Sequence, residues 1–195
     1  MEQKEERIDS LKQLLHHSSL TLRQQFILNK ALGAEYELFV SDSAMKYFDN
    51  SLLIADSLRS VPLVDEVRLC QTSVLSISGM YKEAWEMLHG IDRATLPDSL
   101  LPAFYDCGRQ LYSFLANYSH NSSYAANYIR LQNAYRDSLL TVLSSALPEY
   151  RLYEAERFIA NQQFTHAKNM LVGLLHDQPE TSNTVSYTHL TLPTT

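Results

Sequence analysis

Two stretches of the chain carry the same residue types at the same intervals, and this constrains the fold more than any other feature. The first runs Leu75, Gly79, Tyr81, Ala84, Leu88, Ile91, with Pro97 shortly after. The second runs Phe158, Gln162, Phe164, Ala167, Leu171, Leu174, then Pro179. Self-similarity at a fixed period marks a stacked array of one small structural unit. The residue types say what that unit is. A large residue closes one helix and a turn follows. An aromatic then opens a second helix, with Ala one turn further on and two large residues beyond. Ala at the crossing lets two backbones approach where a bulkier side chain would hold them apart. Gly79 permits the left-handed conformation that often ends a helix. A proline after the second helix stops it.

Two looser copies fit the same scheme. Ala44 with Phe48 opens a helix after Phe39–Asp42, and Ala125 with Ile129 opens one after Tyr118–Asn121. The four alanines, at 44, 84, 125 and 167, lie 40, 41 and 42 residues apart. Ser51 stands where Ala is commoner. The spacing resembles that of a tetratricopeptide motif, whose usual period is about 34 residues, so these helices are expected to be longer than usual. The fold class expected is all-α, an antiparallel helix-pair, right-handed solenoid of about nine helices. A first helix covers 2–17, with Ile8, Leu11, Leu14 and Leu15 on one face. Four pairs follow: 20–39 with 43–59, 63–78 with 80–91, 98–118 with 122–143, and 147–161 with 164–176. In the 122–143 helix Tyr128, Leu131, Tyr135 and Leu139 form a stripe. Asp42 and Asp98 are expected N-caps, and Pro62 suits a first helical turn. Pro102 lies several residues into its helix, which therefore starts late or bends there.

Composition excludes several classes. Only 5 Gly and 6 Pro occur in 195 residues, too few for the tight turns of an all-β sandwich. The net charge of -6 repels a phosphate backbone, so no nucleic-acid partner is expected for this segment. No run of apolar residues is long enough to span a membrane. Cys70 and Cys107 are not in metal-ligand spacing and sit in apolar helical contexts, so they are expected to be buried thiols; whether they pair stays open.

Longer motifs resemble a known family. They are Lys4–Lys12, Asp42–Ala44, Ser78–Ala84, Ile91–Pro97 and Tyr135–Leu140. The chain is similar through them to the tetratricopeptide-containing transmembrane regulators of Bacteroidetes, whose C-terminal part is a domain of unknown function. The resemblance implies an exported repeat region on the periplasmic side of a bacterial inner membrane. It further implies a signal peptide, one membrane helix, a cytoplasmic coiled coil and a helix-turn-helix-like DNA-binding end. Met1 is then an internal start. No active-site residue comes with the resemblance.

No enzyme is expected, because catalysis needs convergent polar groups and none emerges. No phosphate-binding glycine loop, HExxH or EF-hand loop occurs, and no cofactor or metal is implied. His16 and His17 are adjacent, which turns their rings about 100° apart on a helix; two exposed polar residues are the simpler reading. The carboxylates of Glu154 and Glu156 do not share a face. Asn117-Tyr-Ser119 and Asn121-Ser-Ser123 match glycosylation sequons, which mean little in a bacterial source. Trp85 is expected to point sideways and pack on a neighbouring helix, with a surface contact as the alternative. Stacked pairs present a concave surface lined by the first helix of each, and the register puts Glu66, Ser73, Gln110, Asn117 and Glu156 there. The partner expected is a protein or peptide; a structural or dimerising module, a homo-oligomer without its own ligand, is the alternative.

Residues Val185–Thr194 read Val-Ser-Tyr-Thr-His-Leu-Thr-Leu-Pro-Thr, which matches the translation of a transposase-based sequencing adapter. The domains expected are a first helix over 1–18, four helix pairs over 19–183, and a non-native tail over 184–195. The last pair then lacks the neighbour it should stack against.

Overall fold

In the computed structural model, residues 2–17 and 19–177 are described; the tail expected over 184–195, Pro179 and the expected domain end at Asn183 lie outside them. The described residues form helices joined by short turns, with no strand among them. They fall into two compact units, Met1–Val142 and Leu143–Thr195.

The first unit opens with α1 (Glu2–Leu15), which turns Ile8 inward and leaves Leu14 exposed, against the four-residue face expected. Arg7 Nε meets Glu35 Oε1 at 2.7 Å and ties α1 to α2 (Leu22–Tyr36). Thr21 begins α2 with a reciprocal cap: Gln24 N–H donates to its hydroxyl, and its own N–H donates to Gln24 Oε1 at 2.9 Å, which satisfies two donors the helix start would leave bare. The next helix, α3 (Ser41–Ser57), buries Ala44, Phe48, Ser51 and Ala55, a stripe at intervals of four and three. The Ser51 hydroxyl is tolerated inside because it donates to Tyr47 O at 3.0 Å. These residues pack with Phe26, Leu63, Val67 and Val74 into the main core.

Asp42 is not a cap. α3 starts at Ser41, which puts Asp42 in the first turn with no side-chain cap bond at Val40; its charge faces the helix dipole instead. Asp98 is not the cap of a long helix either. It opens a 3-10 turn over Asp98–Leu100, ahead of α6. The reason is Pro102, which fits only the first turn of a helix.

Next come α4 (Val61–Ile77) and α5 (Tyr81–His89), the pair that carries the clearest repeat. α4 is buried on nearly every side, and Pro62 sits in its first turn. Gly79 takes φ +80 between the two helices. Ala84, Leu88 and Ile91 are buried. The chain then passes through 3-10 turns at Arg93–Thr95 and Asp98–Leu100 into α6 (Leu101–Tyr118) and α7 (Ala125–Val142).

The third pair departs from the scheme. Ala125 is only half-buried and Ile129 is 49% exposed. The close approach comes instead at Gly108, where an added Cβ would stand 2.2 Å from the Tyr135 ring. Gly33 makes the same provision for Phe48 in the first pair. The second unit holds α8 (Pro148–Ala160) and α9 (Phe164–Asp177), with Ala155, Ala167 and Leu174 buried.

Candidate binding surfaces

The first helices of the three pairs in the first unit, α2, α4 and α6, carry a row of half-buried polar side chains. On α4 the intervals Glu66, Cys70, Ser73 keep one face. On α6 Asp106 and Gln110 do the same. Lys30 of α2 forms an ion pair with Glu66. Glu37, at the C-terminal end of α2, faces Ser73, whose hydroxyl favours its carboxylate form. Gln110 Nε2 donates to Asp106 Oδ2 at 2.7 Å, and buried Arg109 donates to Asp106 Oδ1 at 2.8 Å.

Electrostatics bind these groups into one neighbourhood. The Cys70 thiol, pushed up to about 12 by burial, feels Glu37, Lys30 and Glu66; buried Cys107, raised for the same reason, feels Asp106, Cys70 and Glu37. Cys107 Sγ also lies 3.4 Å from Leu69 O, across the α4–α6 contact. Both thiols are free. Burial raises the Glu37 carboxyl, and the Ser73 hydroxyl pulls the other way. The free carbonyls at a helix C-terminus add to the cost of an anion at that place.

Of the five residues placed in a groove by the repeat register, Glu66, Ser73 and Gln110 therefore lie along this row. Asn117 is exposed near the end of α6, where its carbonyl meets the His120 ring at 3.0 Å. Glu156 is half-buried on α8 and belongs to the second unit. His16 and His17 follow the end of α1, exposed. Among the described residues no group of three or more His, Cys, Asp or Glu is placed to hold a metal, and no helix is long and apolar enough to cross a membrane.

A second surface escaped the repeat register. α5 and α7 flank α6, and the space over α6 is lined by aromatic rings. One cavity of about 460 Å³ lies among Tyr81, Trp85, Tyr112 and Tyr128. Another, of about 380 Å³, lies among Arg93, Tyr105 and Tyr135. Leu131 of α7 lines both. Trp85 is 45% exposed; its indole N–H donates to Tyr112 Oη at 3.3 Å and its ring stacks on His89 at 4.1 Å. It thus makes the neighbour contact, to α6, while part of its ring stays exposed. Burial raises the Tyr112 phenol and pushes that of Tyr135 up to about 12, so both stay neutral hydrogen-bonding groups. The Tyr128, Leu131, Tyr135 stripe was visible in the sequence as helix-packing residues. That its edge stays open was not, because that depends on how far α5 stands from α7.

Antiparallel helix pairs with small residues at their crossings, and a polar row on successive first helices, define a tetratricopeptide-type repeat scaffold. That class serves protein interaction and is typically not catalytic. The chain belongs to the family of SusR N-terminal TPR domains, whose model matches residues 1–195. No curated protein matches it, and no solved structure does.

Proposed function

We propose that this chain is the sensing region of a membrane-anchored transcriptional regulator, that it stands on the periplasmic side of a bacterial inner membrane, and that it reads a protein or peptide segment along the polar row. Membership of the repeat family supports a binding role. The observation that carries the site is the row itself: Glu66, Ser73 and Gln110 are half-buried on adjoining first helices, and Glu66 and Gln110 are already held by Lys30 and Asp106. Side chains ordered before binding lose little freedom when a partner arrives.

Two measurements test this. The open reading frame downstream of residue 183 should encode one membrane helix followed by a helix-turn-helix; an immediate stop codon would count against the regulator. Capture from a periplasmic extract should lose its partner when Glu66 and Gln110 are both replaced by Ala. Retention of every partner would sink the site. A homo-oligomer has one observation in its favour, the exposure of Phe164 and Leu175 on α9. Light scattering of the native chain against Phe164→Ser separates the two readings.

A further inference from the structure

We propose that the aromatic groove over α6 binds a small organic acid: an apolar or aromatic body lying against Trp85, Tyr112 and Tyr128, with its carboxylate at Arg93. The inference does not depend on what the polar row binds.

Three observations carry it. The first is size. The two cavities, about 460 and 380 Å³, share Leu131 and follow one face of α7. Each falls in the range of pockets that take a small molecule, about 300–1,000 Å³.

The second is preorganisation. The chain's single tryptophan is left 45% exposed in this groove. Its ring is nonetheless fixed, by the bond from Nε1 to Tyr112 Oη on one side and the stack on His89 on the other. Tyr112 is itself held against Tyr128 and Tyr135, with ring centroids 6.2 and 5.6 Å away. A flat apolar body therefore meets a rigid aromatic wall, and loses little to ordering it.

The third is charge. The chain carries -6 overall, yet among the described residues the charged side chains lining the two cavities are cations, Lys82 in one and Arg93 in the other, and no carboxylate lines either. The two are not equivalent. Lys82 Nζ lies 3.7 Å from Glu86 Oε1, which neutralises that end. Arg93 is held by a phenol instead: Nε donates to Tyr105 Oη, and the guanidinium lies 5.5 Å from the Tyr105 ring centroid. That arrangement fixes the guanidinium while compensating none of its charge. A planar guanidinium so placed offers its terminal nitrogens to a carboxylate in a two-pronged pair. The uncompensated Arg93 also disfavours a positively charged group at its end of the groove.

The test uses the full chain and Trp85 emission, the only tryptophan signal it has. The probes are 4-phenylbutyrate and its uncharged analogue 4-phenylbutanamide. The acid should change the emission saturably and bind at least about tenfold more tightly than the amide, the lower end of what a charge-assisted bond contributes. Arg93→Gln should bring the acid down to the amide's affinity and leave the amide unchanged. Arg93→Lys should recover part of the difference. Tyr128→Ala should weaken both probes. Equal affinity for acid and amide on the native chain overturns the proposal. So does an absence of saturable response, or an Arg93→Gln chain of unchanged circular dichroism that binds the acid as before. If Arg93→Gln lowers the helical signal, the native acid–amide comparison decides.

Discussion

Gly79 and Gln162 occupy the same place in two helix pairs, and both are left-handed, with φ of +80 and +60. Gly79 has nothing within 4 Å of where a Cβ would stand, so its role is conformational and not steric. Gln162 holds the same turn with a Cβ, at a cost of roughly 1–2 kcal/mol for an L-residue in that region. Arg59, at φ +51 between α3 and α4, bears a similar cost. Two opposite outcomes follow. Gly79→Ala should destabilise by about 1 kcal/mol, and Gln162→Gly should stabilise by up to about 1 kcal/mol, both read from urea midpoints. A gain from Gly79→Ala would show that the turn is not left-handed in solution. The positive φ was legible at Gly79, because glycine is its usual occupant. At Gln162 only the shared spacing pointed to it, since the residue type alone argues otherwise.

Between elements, the closeness of each pair depends on one small residue, and which residue it is varies. Ala84 and Ala167 do this in the second and fourth pairs, as their spacing suggested, and both are buried. In the third pair the spacing misled. Ala125 is the first residue of α7, where it cannot lie at the crossing. The crossing is made from the other helix, by Gly108 beneath Tyr135. The reason is the size of the aromatic layer: Phe104 and Tyr105 of α6 meet Tyr135 of α7 in tilted and edge-on contacts, and a ring from one side needs an absence of side chain on the other. Gly108→Ala should cost about 1–3 kcal/mol as an overpacked contact. Combined with Tyr135→Leu it should cost less than the sum of the two single changes. Strict additivity in a double-mutant cycle would show that the two residues do not oppose each other.

Across the whole molecule, the division at residue 143 separates two bodies with their own buried residues. Residues 143–147, between α7 and α8, contain no helix. Limited elastase digestion should cut there first and release a fragment ending near Val142 that keeps its helical signal and melts cooperatively. Loss of helix on cleavage would show that the first unit does not stand alone.

At this scale the sequence by itself settled the class. The 83-residue recurrence from Leu75 to Phe158 is a local pattern of helix faces and turns, written in nearest neighbours along the chain. It therefore located the helices to within a few residues of each end, including the first-turn place of Pro62; at Pro102 it left a late start or a bend open, and the helix starts late. The polar row was partly legible for the same reason, since Glu66 and Ser73 share a helix face. Asp106 and Gln110 likewise lie four apart on α6, whereas Lys30 and Glu37 come from α2 and its C-terminal end, and only packing brings them to α4. The aromatic groove belongs wholly to the tertiary structure. Each ring in it looks like core from its own helix, and whether an aromatic edge is buried or open depends on the gap between α5 and α7, a distance that no spacing within one helix encodes.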